Sequence, residues 1–435
     1  PDLPGAAPHL TYGYTTFSPV FVTEKLQEAR ARMKAEPASA PEKRDVAKTK
    51  EAVSFDRKLL WINTVFPATD GENWLSSGDA AYHALLRRLP EDPAKAFVMQ
   101  RDALAELNAR YLFLAAREVE EAPLKTKTAY DRYGAYQMPR IKGTFALHQL
   151  RLWLGNAAFS KVMAQVHARC AGKPAHTEEL LKLASEAAGR DLRPLVLPWL
   201  ERTGLPDPTL EARTSRTEQG HEVDITVRQR GDAYPFVATV EIATAKGRTL
   251  ERLEVKGSET CATFRVAEKP LRVTLNAGHE VPVASMPSAT LPNLLDAWEK
   301  LLFVPGTSRE VEANRSLATA FRDQVADTFT ELRADAEVTE QELRERDLVL
   351  FGGIESNALL ARMAREHALP VAFGDGFFRF QGHLYAAPDD GVAFAMPNPW
   401  NPRRTVYVFS ANTRTQLWRM TRSYPRGLAG WALWK

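Results

Sequence analysis

Two stretches decide how the first half reads: Ser54-Phe55-Asp56-Arg57-Lys58 and Trp74-Leu75-Ser76-Ser77-Gly78. From the second stretch onward, apolar residues recur at the 3.6-residue period of a helix. Trp74, Ala81, Leu85 and Leu86 do so, then Leu104, Leu107, Tyr111 and Leu114, then Leu147, Leu150, Leu154 and Phe159 around Gly155. Pro and Gly mark the breaks, so Asp79 to Arg202 is expected to be almost wholly helical. The stretch before it, Lys34 to Arg44, is rich in Pro, Ala and charge and reads as an exposed loop.

After Gly204-Leu205-Pro206-Asp207-Pro208 the period changes to two. Val223-Asp224-Ile225-Thr226-Val227, Ala238-Thr239-Val240-Glu241-Ile242, Leu253-Glu254-Val255 and Leu271-Arg272-Val273-Thr274-Leu275 alternate apolar with polar. Short alternating strands predict an antiparallel β-sandwich. From Leu291 helices and strands alternate. Asp347-Leu348-Val349-Leu350-Phe351-Gly352-Gly353 leads into a helix-like run from Ser356 to Glu366. Pro370 to Phe373, Val392 to Phe394 and Thr405 to Phe409 read as further strands, and Gln416 to Thr421 as a last helix. This predicts an α/β domain on a largely parallel sheet. The expected organisation is therefore multidomain α + β: a helical domain over 1–208, a β-sandwich over 209–288 and an α/β domain over 289–435. That agrees with about three domains for this length.

Composition removes several classes. The 435 residues carry 57 basic and 54 acidic side chains, a net charge of +3 with no basic stripe, so no nucleic-acid footprint is indicated. No apolar run reaches the roughly 20 residues of a membrane span. The opening Pro1-Asp2-Leu3-Pro4 has no signal-peptide pattern and reads as a processed or truncated start, which leaves export favoured over the cytoplasm. Cys170 and Cys261 fall in different expected domains, as two free thiols or as a disulfide between them.

Four blocks carry a resemblance. The first is Ser54 to Gly78, with Asn63, Pro67, Trp74-Leu75 and Gly78. The second is Lys142-Gly143-Thr144 with Leu147, Leu150 and Arg151. The third is Leu154-Gly155 and Phe159, then Thr177-Glu178-Glu179-Leu180. The fourth is Trp199-Leu200 with Gly204 and Pro206. In this order they resemble the gluzincin (membrane-alanyl) aminopeptidases over roughly residues 1–285. The resemblance implies a helical, thermolysin-like catalytic domain followed by a β-sandwich. In that family two His one helical turn apart and a Glu hold Zn²⁺, a Glu beside the first His is the general base, a Tyr before the Lys-Gly pair steadies the oxyanion, and a Gly-x-Met-Glu-Asn loop holds the substrate amine.

This chain departs from that pattern at each of those places. Ser54, Lys58 and Ser77 stand at the ligand positions, Phe55 at the base and Arg140 at the Tyr, and Gly5-Ala6-Ala7-Pro8-His9 offers no Glu. None of the nine His forms an HxxxH pair; His83 and His148 are lone helix histidines. The expectation is a pseudopeptidase without metal or cofactor, a former catalytic domain used for binding or assembly. The family's N-terminal β-domain would come from a separate chain or a cleaved fragment. Arg140 and Lys58 would either pair with Asp56 or Asp79 or point to water.

Two other readings stay open. One is a zinc peptidase completed by a partner chain. The other is a hydrolase in the C-terminal domain around Ser356, His383 and Asn398. There Gly352-Gly353-Ile354-Glu355-Ser356-Asn357 opens a helix after a strand, though without a Walker loop or a GxSxG elbow, and Ser356 reads as an N-cap. The loop Pro397-Asn398-Pro399-Trp400-Asn401-Pro402-Arg403-Arg404 is a rigid turn or a pocket rim, so Ser356, Asn357, Asn398, Trp400, Asn401 and Arg403 are the binding candidates. Together the helix opening and this loop look like a C-terminal domain found on some exported bacterial hydrolases. Trp418, Trp431 and Trp434 end the chain as an anchor or an interaction patch.

Overall fold

The computed structural model describes residues 65–117, 121, 123–126, 133–170, 173–286, 289–297, 300–326, 329–422 and 429–435. The chain divides into two compact units, Pro1–Leu104 with Glu120–Ser285, and Ala105–Val119 with Met286–Lys435. Both mix helices with sheets. Among the described residues no helix is long and apolar enough to cross a membrane.

Among the described residues the first elements of the first unit are strand β1 (Val65–Pro67) and helix α1 (Asn73–Leu86). Helix α2 (Pro93–Ala115) contributes its residues up to Leu104 to this unit. Then come α3 (Tyr133–Leu154), α4 (Asn156–Cys170), β2 (Lys173–Ala175), α5 (Thr177–Ala188) and α6 (Arg193–Glu201). Gly155 at φ +78 makes the break between α3 and α4, a left-handed turn that a side chain would strain. Strands β1 and β2 pair in parallel.

Helices α1 and α3 cross on two glycines. A Cβ at Gly78 would lie 2.8 Å from the Gly143 carbonyl carbon, and one at Gly143 would lie 2.9 Å from the Trp74 oxygen. No other residue lets the two backbones approach so closely. Trp74 Nε1 donates to Thr177 Oγ1 of α5 at 3.1 Å. Lys142 Nζ donates to the Arg202 carbonyl just beyond α6. The four sequence blocks are thus tied to one another inside this unit.

Six strands follow: β3 (Pro208–Thr217), β4 (Gly220–Gln229), β5 (Phe236–Thr244), β6 (Gly247–Val255), β7 (Glu259–Val266) and β8 (Pro270–Leu275). They form two antiparallel sheets, ordered β3-β4-β7 and β6-β5-β8. Alternation decides which side faces in: Val223, Ile225 and Val227 are buried, while Asp224 and Arg228 are exposed. Strand β5 is buried on both faces because its outer face meets α3. Gln149 of α3 donates to the Val237 and Glu280 carbonyls at 3.0 and 2.9 Å and accepts from Val237 N at 2.7 Å. Cys170 is buried and Cys261 exposed, and they are not joined, which replaces the disulfide alternative with two free thiols.

The second unit adds β9 (Leu301–Pro305), α7 (Val311–Val325), β10 (Glu331–Leu332), α8 (Glu340–Glu345), β11 (Asp347–Phe351) and α9 (Ala358–Glu366). After these come β12 (Val371–Gly374), β13 (Phe377–Phe380), β14 (His383–Tyr385), β15 (Gly391–Asn398), β16 (Asn401–Ala411), α10 (Arg414–Arg422) and β17 (Trp431–Trp434). The main sheet runs β10-β9-β11-β16-β15-β17. Its first four strands are parallel, as expected, but β15 is antiparallel to both neighbours. Only Pro399 and Trp400 separate β15 from β16, and a connection that short permits no parallel crossover. Pro370 to Phe373, expected in this sheet, instead supplies β12 of a separate antiparallel sheet, β12-β13-β14.

One face of the main sheet stacks Phe303, Phe351 and Phe409 beneath Phe321 of α7. The other packs Leu302, Leu350 and Val408 against Leu360 and Met363 of α9 and Phe378 of β13. The end of α2 belongs to this unit through charge: Arg110 pairs with Asp296, and Arg117 pairs with Asp347.

Candidate functional site

Of the five positions where the resemblance leads one to look for catalytic groups, Ser54, Phe55 and Lys58 lie outside the described residues. Ser77 and Arg140 are described. Ser77 sits on α1, 4% exposed, and its Oγ donates to Asn73 O at 2.9 Å, back into its own helix. Arg140 sits half-buried on α3 and donates from Nη1 to Gln137 Oε1 at 3.3 Å. A zinc ion takes imidazole, thiolate or carboxylate donors. A hydroxyl committed to a helix carbonyl and a guanidinium do not fit that ion, and no step is derived through it. Among the described residues no group of three or more His, Cys, Asp or Glu is placed to hold a metal.

One turn beyond Ser77 stands a pair that the sequence shows only as D-x-x-x-H. Asp79 is 1% exposed, and His83 Nε2 lies 3.2 Å from its Oδ1. Neither Asp79 oxygen has a hydrogen-bond partner of good geometry. Burial raises the Asp79 carboxyl above its ordinary range, against the pull of His83 and His167. The close contact with the Asp79 carboxylate in turn raises His83, against its own burial. Pairing of Asp79 with Lys58 or Arg140 is one of two readings of the sequence, the other being that those cations point to water; Lys58 lies outside the described residues, and Asp79 has His83 beside it, four residues along the same helix face.

His148 is a core histidine. Tyr82 Oη and His148 Nδ1 are 2.9 Å apart, and Arg151 Nη1 donates to the same oxygen at 3.2 Å. The tyrosine proton therefore goes to the imidazole. Burial first, and Arg151 second, push His148 down to about 3, so it is neutral at physiological pH. Burial pushes Tyr82 up to about 12. Lys142, also buried, lies 3.4 Å from Glu121, and desolvation lowers its pKa. Glu121 also accepts from Gly204 N at 2.9 Å.

In the second unit Ser356 is 4% exposed, and its Oγ donates to Gly353 O at 3.3 Å. It is not the N-cap of α9. Asn357 is: its Oδ1 accepts from Leu360 N at 2.9 Å, while Nδ2 donates to Val304 O and Phe351 O. The amide accepts the cap hydrogen bond and donates to two strand-end carbonyls, where a hydroxyl has one proton to donate. Asn398 donates to Leu343 O at 2.7 Å and accepts from Trp400 N at 2.9 Å. Asn401 donates to Arg344 O at 2.7 Å and accepts from Arg403 N at 3.1 Å. The Asn-Pro loop thus closes the carbonyl end of α8. Trp400 stacks under Arg362, 5.3 Å away, and meets His367 edge-on.

These candidates do not converge. Ser356 follows the carboxyl end of β11, whereas Asn398 is bonded to residues that precede its amino end. His383 is exposed on β14, with Nδ1 beside Gln381 O. A nucleophile and its base need hydrogen-bond reach, and Ser356 has neither His383 nor Asn398 as a hydrogen-bond partner.

No protein-family model matches the chain, and no curated protein matches it. Among solved structures it is similar to the crystal structure of Legionella pneumophila aminopeptidase A in complex with aspartic acid, at 15% identity and a TM-score of 0.38. The likeness covers 72% of this chain and 33% of that one, so the chain spans about a third of the length of the protein it matches. A likeness this remote says nothing about this chain's chemistry.

Proposed function

We propose that this is a non-catalytic, aminopeptidase-like protein that works by binding within a larger assembly. Its three parts would be a former catalytic domain over 1–208, a β-sandwich over 209–288 and an α/β domain over 289–435. The observation that carries the reading is the chemistry of five side chains. Where the resembling family needs two imidazoles, a carboxylate, a base and a phenol, this chain has Ser54, Lys58, Ser77, Phe55 and Arg140. None of these binds zinc strongly or takes a proton from water near neutral pH. Ser77 supports the reading further, because its hydroxyl is spent on Asn73. The close crossing at Gly78 and Gly143 supports a scaffold kept around the altered positions.

The test is metal analysis of the purified protein together with hydrolysis of aminoacyl-p-nitroanilides, with and without added Zn²⁺. The expected result is far less than one zinc per chain and no hydrolysis above buffer. Stoichiometric zinc with chelator-sensitive hydrolysis would overturn the reading. Hydrolysis that disappears in Ser356→Ala would move the function to the second unit.

A further inference from the structure

We infer that the open end of the sandwich, at the free edges of β3 and β8, accepts an extended acidic segment of a partner protein as an added strand. The inference stands whether or not the helical part hydrolyses peptides.

Among the described strands, β3 ends one sheet and β8 ends the other, and the two edges lie side by side. The ladder fixes which way the β3 backbone groups point. Arg230 N donates to Asp207 O at 3.1 Å, while Gln229 N turns the other way, to Ser258 O at 2.9 Å. Register is regular from Pro208↔Gln229 to Thr217↔Gly220. In an antiparallel pair the bonded positions alternate. Thr209, Glu211, Arg213 and Ser215 therefore bond β4, and the N–H and C=O groups of Ala212, Thr214 and Arg216 point out of the sheet.

Side chains at this end are uncovered as well. Ala212 and Thr214 face Ile225 and Val223, so they sit on the core side of the sheet, yet both are exposed. Leu271, at the irregular start of β8, is 70% exposed. A cavity of about 450 Å³ opens at the turn between β3 and β4 and the end of β7, lined by Thr217, His221, Arg265 and Ala267 among others. Free backbone groups every second residue are matched by another strand, not by a helix.

Charge selects the partner. Arg213 on the outer face of β3, Arg216 on its core face and Lys269 just before β8 are exposed and have no ion-pair partner among the described residues. Among nearby carboxylates, Glu222 is taken by Arg265 and Glu268 by Lys246, while Asp224, opposite Arg213 in the ladder, accepts from Thr263 Oγ1. Glu218 at the turn is the lining exception. A second copy of β3 would bring arginines against arginines, which disfavours edge-to-edge self-pairing. A strand alternating acidic with small apolar residues meets Arg213 on the outer face of the sheet, Ala212 and Thr214 on its core face, and the free edge between them.

The probe is an acetylated octapeptide of alternating Glu and Val, with its Lys-Val counterpart as control. The acidic peptide is expected to bind the full-length protein with a Kd below about 1 mM, to weaken with added salt, and to slow amide exchange at Ala212, Thr214 and Arg216. The lysine peptide should not bind. Thr214→Pro removes an outward N–H without removing a ladder bond and should weaken binding about tenfold or more. If that variant does not fold, the double variant Arg213→Glu and Arg216→Glu decides, losing the acidic peptide and gaining the lysine one. No binding of the acidic peptide, equal binding of both peptides, or unchanged affinity in the variants would overturn the proposal.

Discussion

Among the described residues two carboxylates, Asp347 and Asp79, lie essentially out of water, and they are supplied with donors to different degrees. Asp347, 0% exposed in the second unit, is surrounded by donors. Its Oδ1 accepts from Thr405 N at 2.7 Å and from Arg117, which also donates to Thr405 Oγ1 at 3.0 Å, and Arg404 lies 3.5 Å from Oδ2. Asp79 in the first unit has one imidazole at its side and no well-formed hydrogen bond. A buried charge must recover its lost hydration from nearby donors. The Asp347 arrangement does so through Oδ1, leaving Oδ2 with the Arg404 charge beside it but no hydrogen bond, and ties the residues that follow α2 to the sheet. The Asp79 arrangement does so only in part, and its raised carboxyl pKa records the shortfall.

The largest expected effect comes from breaking the better-supplied network. Asp347→Ala leaves the Arg117 guanidinium buried without its carboxylate and should cost the second unit about 3–5 kcal/mol. Hydrogen exchange at the β11 amides reads that unit by itself, which matters because a chain of two units need not unfold in one step. Pairing Asp347→Leu with Arg117→Leu should recover much of the loss, since an apolar pair leaves no orphan charge. If the double variant is as unstable as the single one, the network is not an ion pair holding α2, and the contrast with Asp79 loses its first half.

A middle-sized effect is expected at the helix crossing. Gly78→Ala drives a Cβ to 2.8 Å from the Gly143 backbone, so α1 must shift away from α3. Overpacking of this kind costs about 1–3 kcal/mol. Because Asp79 is the next residue, a shifted α1 admits water to its carboxyl. The variant should therefore lose stability and also lose part of the pH dependence described below. A thermal melt at pH 5 and pH 8 would show both.

How much of this was legible follows sequence separation. The helices α1 and α3 could be read, because Trp74 and Leu147 each open a run of apolar residues at helical spacing, whereas their crossing on Gly78 and Gly143 could not. The sandwich could be read as well, its alternation being strict in Val223 to Val227. Asp79 and His83 stand four apart, and the spacing alone suggests a shared helix face. Arg117 and Asp347 are 230 residues apart, and neither carries a local mark of its partner. The cap at α9 was misplaced by one residue because Ser and Asn are adjacent and both cap well; only the carbonyls at the ends of β9 and β11 choose between them. The Asn-Pro loop signalled a turn, but its task of closing α8 is written in Leu343, Arg344 and Arg346, more than fifty residues earlier.

The smallest effect has the opposite sign. The folded chain holds the Asp79 proton to higher pH than the unfolded chain does, so stability falls as pH rises from the ordinary carboxyl range, about 4, toward the raised value. His83, also raised, contributes stability that is complete below its ordinary value of 6.5 and is lost as pH climbs through the raised one. Both shifts make the fold weaker in alkali than in mild acid. Asp79→Asn removes the charge, keeps the shape and releases His83 toward its ordinary behaviour. It should leave stability near pH 5 almost unchanged, raise it by about 1 kcal/mol at pH 8 and flatten the profile between. His83→Gln, which leaves the carboxylate without its imidazolium, should do the reverse and lower stability most between pH 5 and 7. Denaturant midpoints across that range decide it: an Asp79→Asn protein weaker than the parent at pH 8 would mean that the carboxylate is better satisfied than a single imidazole allows, and the two buried acids would no longer differ in kind.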